Sequence, residues 1–159
     1  MRQDYDVLIV GAGVVGSSLA LALSHLPLRI ALIEQIPFRF EPPLSLDSKP
    51  IALNVASMRI LQTLALWPAL AAYANPIRQV HISQQACFAQ SRISAKDMGV
   101  AQLGCVIPAA RLGSELIKAL SECAAGKTAA KASLELFNPA QCQSISKTKQ
   151  AWQVLFSTA

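Results

Sequence analysis

The chain has 159 residues, enough to bury a core of its own, and 53% of them are hydrophobic against 14% charged, a balance that excludes a disordered chain. The net charge is +5, but Lys96, Lys118, Lys127, Lys131, Lys147 and Lys149 are loosely spread and no aromatic residues interleave with them, so no nucleic-acid partner is expected. The four cysteines, Cys87, Cys105, Cys123 and Cys142, form no Cys-x-x-Cys pair and stand apart from His25 and His81, so no metal site can be read and the thiols are expected to act as small apolar residues in a reducing cytoplasm.

The run from Val7 to Leu23 carries no charge. Asp4 and Asp6 precede it, where a signal peptide would be positive, and Pro27 and Arg29 follow it closely, so neither a leader nor a spanning helix is expected. "YDVLIV" reads instead as a strand buried in a parallel sheet, turning at Gly11, Gly13 and Gly16 into a helix that Pro27 stops. In a dinucleotide-binding turn the first glycine permits the corner, the second lets a pyrophosphate reach the backbone, and the third lets helix and strand pack closely. Ser17, Ser18, Ala20 and Ala22 are the small side chains expected to keep the helix near the sheet.

"RIALIE" reads as the second parallel strand, ending on Glu34, 18 positions after Gly16. A carboxylate there accepts hydrogen bonds from both ribose hydroxyls and repels a 2′-phosphate. Strand, glycine turn, helix, strand and acid within about 30 residues make a nucleotide site the favoured reading over a structural turn.

"QIPFRFEPPLSLDSKP" reads as an extended loop, with Pro37, Pro42, Pro43 and Pro50, where a Rossmann helix would otherwise follow. Ile51, Val55, Met58, Ile60, Leu61, Leu64, Leu66 and Trp67 have helical spacing, predicting one helix and a short second one parted near Trp67 and Pro68. "PIRQVHISQQACFAQSRISA" alternates through Ile77, Val80, Ile82, Cys87 and Phe88, predicting antiparallel strands. A strand at 103–107 and a helix from Pro108 to Ala124 follow, with core stripe Leu112, Leu116, Ile117 and Leu120 and Gly126 past its end. "ASLELF", "CQSISK" and "AWQVLFSTA" are three short strand-like pieces. "AAGKTAAKAS" lacks the context of a phosphate-binding loop and reads as a connection.

The segments "DYDVLIVGAGVVGSSLALAL", "RIALIE", "LDSKPIALNVASMRILQTLALW", "PIRQVHIS", "KDMGVAQLGCVIPAARLGSELIKAL" and "FNPAQCQSI" together resemble the flavin-dependent aromatic hydroxylases related to para-hydroxybenzoate hydroxylase, in their ubiquinone-biosynthesis branch. The resemblance implies an α/β fold: a Rossmann-like FAD-binding βαβ domain with inserted antiparallel strands, residues 77–107 contributing to the start of a substrate-domain sheet. It implies FAD as cofactor, NAD(P)H as transient reductant, O2 as co-substrate and a polyprenylated phenol as the ring hydroxylated, the cofactor carrying the chemistry.

By the same resemblance Gly11, Gly13 and Gly16 cradle the FAD pyrophosphate and Glu34 holds the adenosine ribose. Lys49 stands where the family has a cofactor-contacting arginine, with a solvated loop lysine as the alternative. Arg111 matches a position near the ribityl or phosphate region, with a surface helix arginine as its alternative, and Cys142 falls near the adenine. His81 is read as a strand histidine without acid–base work. "QQACFAQ" departs from the family's pattern of an acidic residue, an arginine and a glycine.

The family's Asp-Gly and Gly-Asp motifs occur nowhere in the sequence. The chain is therefore expected to be a truncated N-terminal part, 1–159, of an FAD-binding domain belonging to a longer enzyme, inactive alone. Two other readings stay open: a noncatalytic Rossmann module holding FAD or NAD, and an interaction protein that keeps the fold without a cofactor. The expected location is cytoplasmic, peripheral to the inner face of the membrane where a polyprenyl substrate resides, among other ubiquinone-pathway proteins.

Overall fold

The computed structural model describes residues 3–41, 49–83, 90–149 and 151–158. Pro42, Pro43, Cys87 and Phe88, singled out above, lie outside the described residues. The chain divides into two compact units, one of residues 1–42 and 113–159 and one of residues 43–112.

In the first unit the uncharged run breaks into strand β1 (Val7–Val10) and helix α1 (Val14–Leu23), the glycine corner lying between them. No helix among the described residues is long and apolar enough to cross a membrane. β2 (Arg29–Ile33) pairs in parallel with β1, Val7 opposite Ile30 through Val10 opposite Ile33. On its other side β8 (Ser133–Phe137) pairs in parallel, giving the order β1-β2-β8. The central strand is the core: Ile30, Ala31 and Leu32 are fully buried and Ile33 nearly so, which is why "IALI" is apolar without alternation.

Of the four small residues expected against the sheet, Ser17 and Ala20 are buried, whereas Ser18 is half-buried and Ala22 faces solvent. Helical rotation places 17, 20 and 21 on one side, and 18 and 22 turn away from it. The helix also ends before Pro27. Ser24 closes it, its N–H donating to Ala20 O and its hydroxyl to Leu21 O at 2.7 Å.

β8 is followed by a hairpin of β9 (Ala140–Lys147) and β10 (Trp152–Thr158), antiparallel with a register shift at Leu155/Phe156. Phe137 at the end of β8 packs against Phe156, rings tilted by 56° with centroids 4.7 Å apart, and meets Tyr5 edge-on.

The second unit holds a three-stranded antiparallel sheet, β3 (Pro50–Asn54), β7 (Gly104–Pro108) and β4 (Asn75–Ile77), in the order β3-β7-β4. Ile51 to Asn54 are therefore strand and not the start of a helix. All five residues of β3 pair with β7, Pro50 with Pro108 through Asn54 with Gly104, and that ladder overrides a helical apolar spacing. Helix α2 (Val55–Thr63) begins where the ladder ends, capped by Asn54, whose Oδ1 accepts the Ser57 N–H at 2.8 Å. The break before the short helix α3 (Trp67–Leu70) comes at Ala65, with φ +57°, and Trp67 begins α3 instead of ending α2.

β5 (Gln79–Ser83) and β6 (Gln90–Ser94) pair antiparallel as expected, with His81 opposite Arg92. Val80, Ile82 and Ile93 on this hairpin are exposed. Helix α4 (Ala109–Ala124) starts one residue later than the sequence suggests, because Pro108 is held in the β3–β7 ladder. Leu112, Leu116 and Leu120 are buried as expected and Ile117 is half-buried. Gly126, at φ +67°, closes α4: its N–H donates to Cys123 O and that of Lys127 to Glu122 O, the paired bonds of a Schellman end. Cys105 and Cys123 are buried, and burial pushes the Cys105 thiol up from its ordinary value.

Candidate nucleotide site

Three parallel strands end together at Val10, Ile33 and Phe137, and ligands of open α/β sheets bind beyond such carboxyl ends. The three segments that leave these ends build the site. After β1 the chain turns at Gly11, whose N–H donates to Ile33 O at 2.8 Å and whose φ of +100° suits only glycine. A side-chain carbon on Gly13 would meet nothing within 4 Å, whereas one on Gly16 would lie 2.0 Å from Gly11 O and 3.3 Å from Ile9 Cγ2. Corner, open backbone and close packing thus fall on Gly11, Gly13 and Gly16 in the order the sequence suggests.

Ser17 ties the turn to the helix, its hydroxyl donating to Ala12 O at 2.8 Å and its N–H to Gly13 O. The N–H groups of Val14 and Val15, in the first turn of α1, have no helical carbonyl to meet and carry the positive end of the helix dipole.

Glu34 leaves β2 beside this corner. Its Oε2 accepts the Ala12 N–H at 2.7 Å and its Oε1 the Ile36 N–H at 2.7 Å. The carboxylate therefore joins the glycine corner to the segment beyond β2, and each oxygen keeps a lone pair for another donor. A cavity of about 270 Å³ opens here, lined by Val10, Gly11, Ile33, Glu34, Gln35, Ala140, Gln141 and Cys142. Its lining offers both polar and apolar contact. The resemblance put Cys142 beside an adenine, and Cys142 lies in this wall.

Asn138, which the sequence did not single out, anchors the segment after β2. Its Nδ2 donates to Glu34 O at 3.1 Å and to Ile36 O at 2.7 Å, and its Oδ1 accepts the Phe38 N–H at 2.9 Å. Nothing in the sequence shows that the partners of Asn138 lie about a hundred residues upstream.

Gly11, Gly13, Gly16 and Glu34 are brought together in the first unit. Lys49 and Arg111 belong to the second. There the Lys49 carbonyl accepts the Ala109 N–H at 3.0 Å, so the start of β3 and the first turn of α4 lie side by side. The Lys49 side chain is exposed, and the half-buried Arg111 guanidinium lies 4.2 Å from the centre of the Tyr73 ring.

An FAD pyrophosphate and ribose suit this corner: bare backbone at Gly13, unpaired helix N–H groups and a carboxylate with spare acceptor capacity are the donor and acceptor set that they require. The sequence profile of the FAD binding domain family matches residues 4–146. Among curated proteins, the chain is 34% identical over 82 residues to ubiquinone hydroxylase UbiL of Rhodospirillum rubrum, covering 48% of this chain and 18% of that one. It is 39% identical over 67 residues to ubiquinone hydroxylase UbiM of Neisseria meningitidis, covering 42% of this chain and 14% of the relative. Among solved structures, the flavin-dependent monooxygenase PieE in complex with FAD and substrate matches 97% of this chain with 27% of its own, at TM-score 0.65 and 18% identity, a likeness of fold. The matched regions are thus less than a fifth of the curated relatives' length and about a quarter of PieE's. With its parallel sheet, its glycine corner and a profile match running through nearly its whole length, the chain belongs to the FAD binding domain family.

Proposed function

We propose that the chain is the cofactor-holding part of an FAD-dependent monooxygenase that hydroxylates a polyprenylated phenol in ubiquinone biosynthesis, with NAD(P)H as transient reductant and O2 as co-substrate. The observation that carries the reading is the corner itself: open backbone at Gly13 beside a Glu34 carboxylate fixed by two N–H groups. The names of the curated relatives support the substrate class.

Bound FAD supplies oxygen activation; the chain supplies its grip. Gly11 and Gly13 admit the pyrophosphate, the first turn of α1 neutralises its charge, and Gly16 holds α1 against β1 so that the turn keeps its shape. Glu34 takes the ribose hydroxyls and disfavours a 2′-phosphate by like-charge repulsion, while Ala140, Gln141 and Cys142 wall the adenosine. Lys49 and Arg111 are the cofactor-contacting cations that the family resemblance assigns, Lys49 as a point charge without the fork of an arginine. Residues 77–107 add strands to a substrate-domain sheet. The chain alone binds the cofactor without turning over substrate, and it works in the cytoplasm against the inner face of the membrane.

The test is reconstitution. The purified chain mixed with FAD should retain flavin absorbance close to one equivalent through gel filtration, and FAD should raise its melting temperature. Protection by NAD but not by FAD would replace the proposal with a nicotinamide-binding module; protection by neither would end it. Sedimentation with vesicles of anionic lipid at low and high salt tests the membrane clause, since lysine-mediated attachment is lost as salt screens it.

A further inference from the structure

We infer that Asn138 is a positioning residue for the Glu34 carboxylate, and that the ribose selectivity of the site depends on it; the inference rests on the nucleotide reading above. Residues 34–38 follow the last paired residue of β2 and form no helix or strand. Their path is set from outside. Ala140 N–H and Asn138 Nδ2 both donate to Glu34 O, at 2.8 and 3.1 Å, and the same carboxamide takes Ile36 O and Phe38 N–H.

The consequence falls on Glu34 through Ile36. With Ile36 O held by Asn138, the Ile36 N–H points back at Glu34 Oε1, while the Ala12 N–H holds Oε2. Both carboxylate oxygens are then fixed before any ligand arrives, and a pre-set acceptor loses no rotamer freedom when a ribose binds. Only a carboxamide supplies two donors and one acceptor at one head, and asparagine does so on a short stem. Aspartate would face two carbonyl oxygens with a negative charge and no donor. Asn138 is not itself among the residues lining the adenosine cavity, so its action on a ligand runs through the carboxylate.

The experiment measures calorimetric binding of ADP and 2′-deoxy-ADP to the full chain, to Asn138→Ala and to Asn138→Asp, with the melting temperature of each nucleotide-free protein. The original chain should prefer ADP by about tenfold, the worth of a hydrogen bond to a charged acceptor. Both variants should reduce that preference to about twofold or less, ADP losing more affinity than 2′-deoxy-ADP, which has only its 3′-hydroxyl to offer Glu34. Asn138→Asp preserves side-chain volume and carries the test where Asn138→Ala fails to fold. Undiminished preference in a folded variant would overturn the inference and leave the nucleotide site standing. Equal loss for both nucleotides would overturn it too, as the mark of a merely structural role. Absence of binding to the original chain would remove the nucleotide reading and the inference together.

Discussion

Gly16 faces the Gly11 carbonyl so closely that a side-chain carbon on it would stand 2.0 Å from that oxygen. The obstacle is backbone on the corner itself, so relief must come from moving α1 off β1. Gly16→Ala should destabilise the chain by about 3 kcal/mol, a fall in Tm of roughly 10 °C. Gly13→Ala is the contrast. Its backbone, at φ −66° and ψ −179°, suits any residue and its surroundings are open, so stability should change by less than about 1 kcal/mol. Its methyl would stand where phosphate must approach, and FAD affinity should fall by more than about tenfold, a loss of ~1.4 kcal/mol. Thermal melts and flavin titration separate the two effects; equal behaviour of the two variants would contradict the assignment.

Glu34 supports the corner and, in the proposed function, the ribose as well. Glu34→Ala removes the acceptors of Ala12 N–H and Ile36 N–H along with the ribose contact. FAD affinity should fall by at least about a hundredfold, from charge-assisted bonds worth ~1.5–3 kcal/mol each. Glu34→Gln keeps one acceptor oxygen but turns an NH2 toward a backbone N–H, and should lie between alanine and the original residue. Fluorescence titration with FAD gives the order; an unchanged affinity in Glu34→Ala would place the ribose elsewhere.

The glycine corner was legible because its chemistry is local: each glycine answers to atoms within a few residues or on the adjoining strand, and the acid follows at a fixed distance. β3 was not legible as a strand. "PIALN" has apolar spacing that fits a helix, and its partner β7 begins fifty residues downstream of Asn54, so the ladder that decides its conformation leaves no local trace. Asn138 failed to show for the same reason, its partners being 100 to 104 residues away. Cys142 was placed by resemblance, since nothing in "AQCQSI" announces a cavity wall. Lys49 and Arg111 were singled out by resemblance alone, and the β3–β7 ladder that sets both at its Pro50–Pro108 end leaves no local trace.

Asn54 offers a test of the helix start that the apolar spacing obscured. Its Oδ1 takes the Ser57 N–H at the first turn of α2, where no acidic residue supports the helix dipole. Asn54→Ala should lower stability by about 1 kcal/mol and Asn54→Asp should keep or exceed the original stability. Urea melts of the chain decide it; no difference between alanine and aspartate would mean that the cap contributes nothing.

Tyr5 gives the chain an alkaline limit. Its hydroxyl donates to Glu135 Oε2 at 2.5 Å and lies against the Gln3 carboxamide, and its ring meets Phe137 edge-on. Burial, reinforced by the hydrogen bond to Glu135 and that residue's negative charge, pushes the phenol from 10.0 up to about 12. The folded chain thus holds this proton more tightly than the unfolded one, so the contribution is complete below pH 10, declines as pH rises toward 12, and is lost above it. Absorbance near ~295 nm follows phenolate formation, so Tyr5→Phe should delete the phenolate step near pH 12. The same substitution should flatten the fall of Tm between pH 10 and 12. Retention of that step in Tyr5→Phe would remove Tyr5 from the chain's alkaline behaviour.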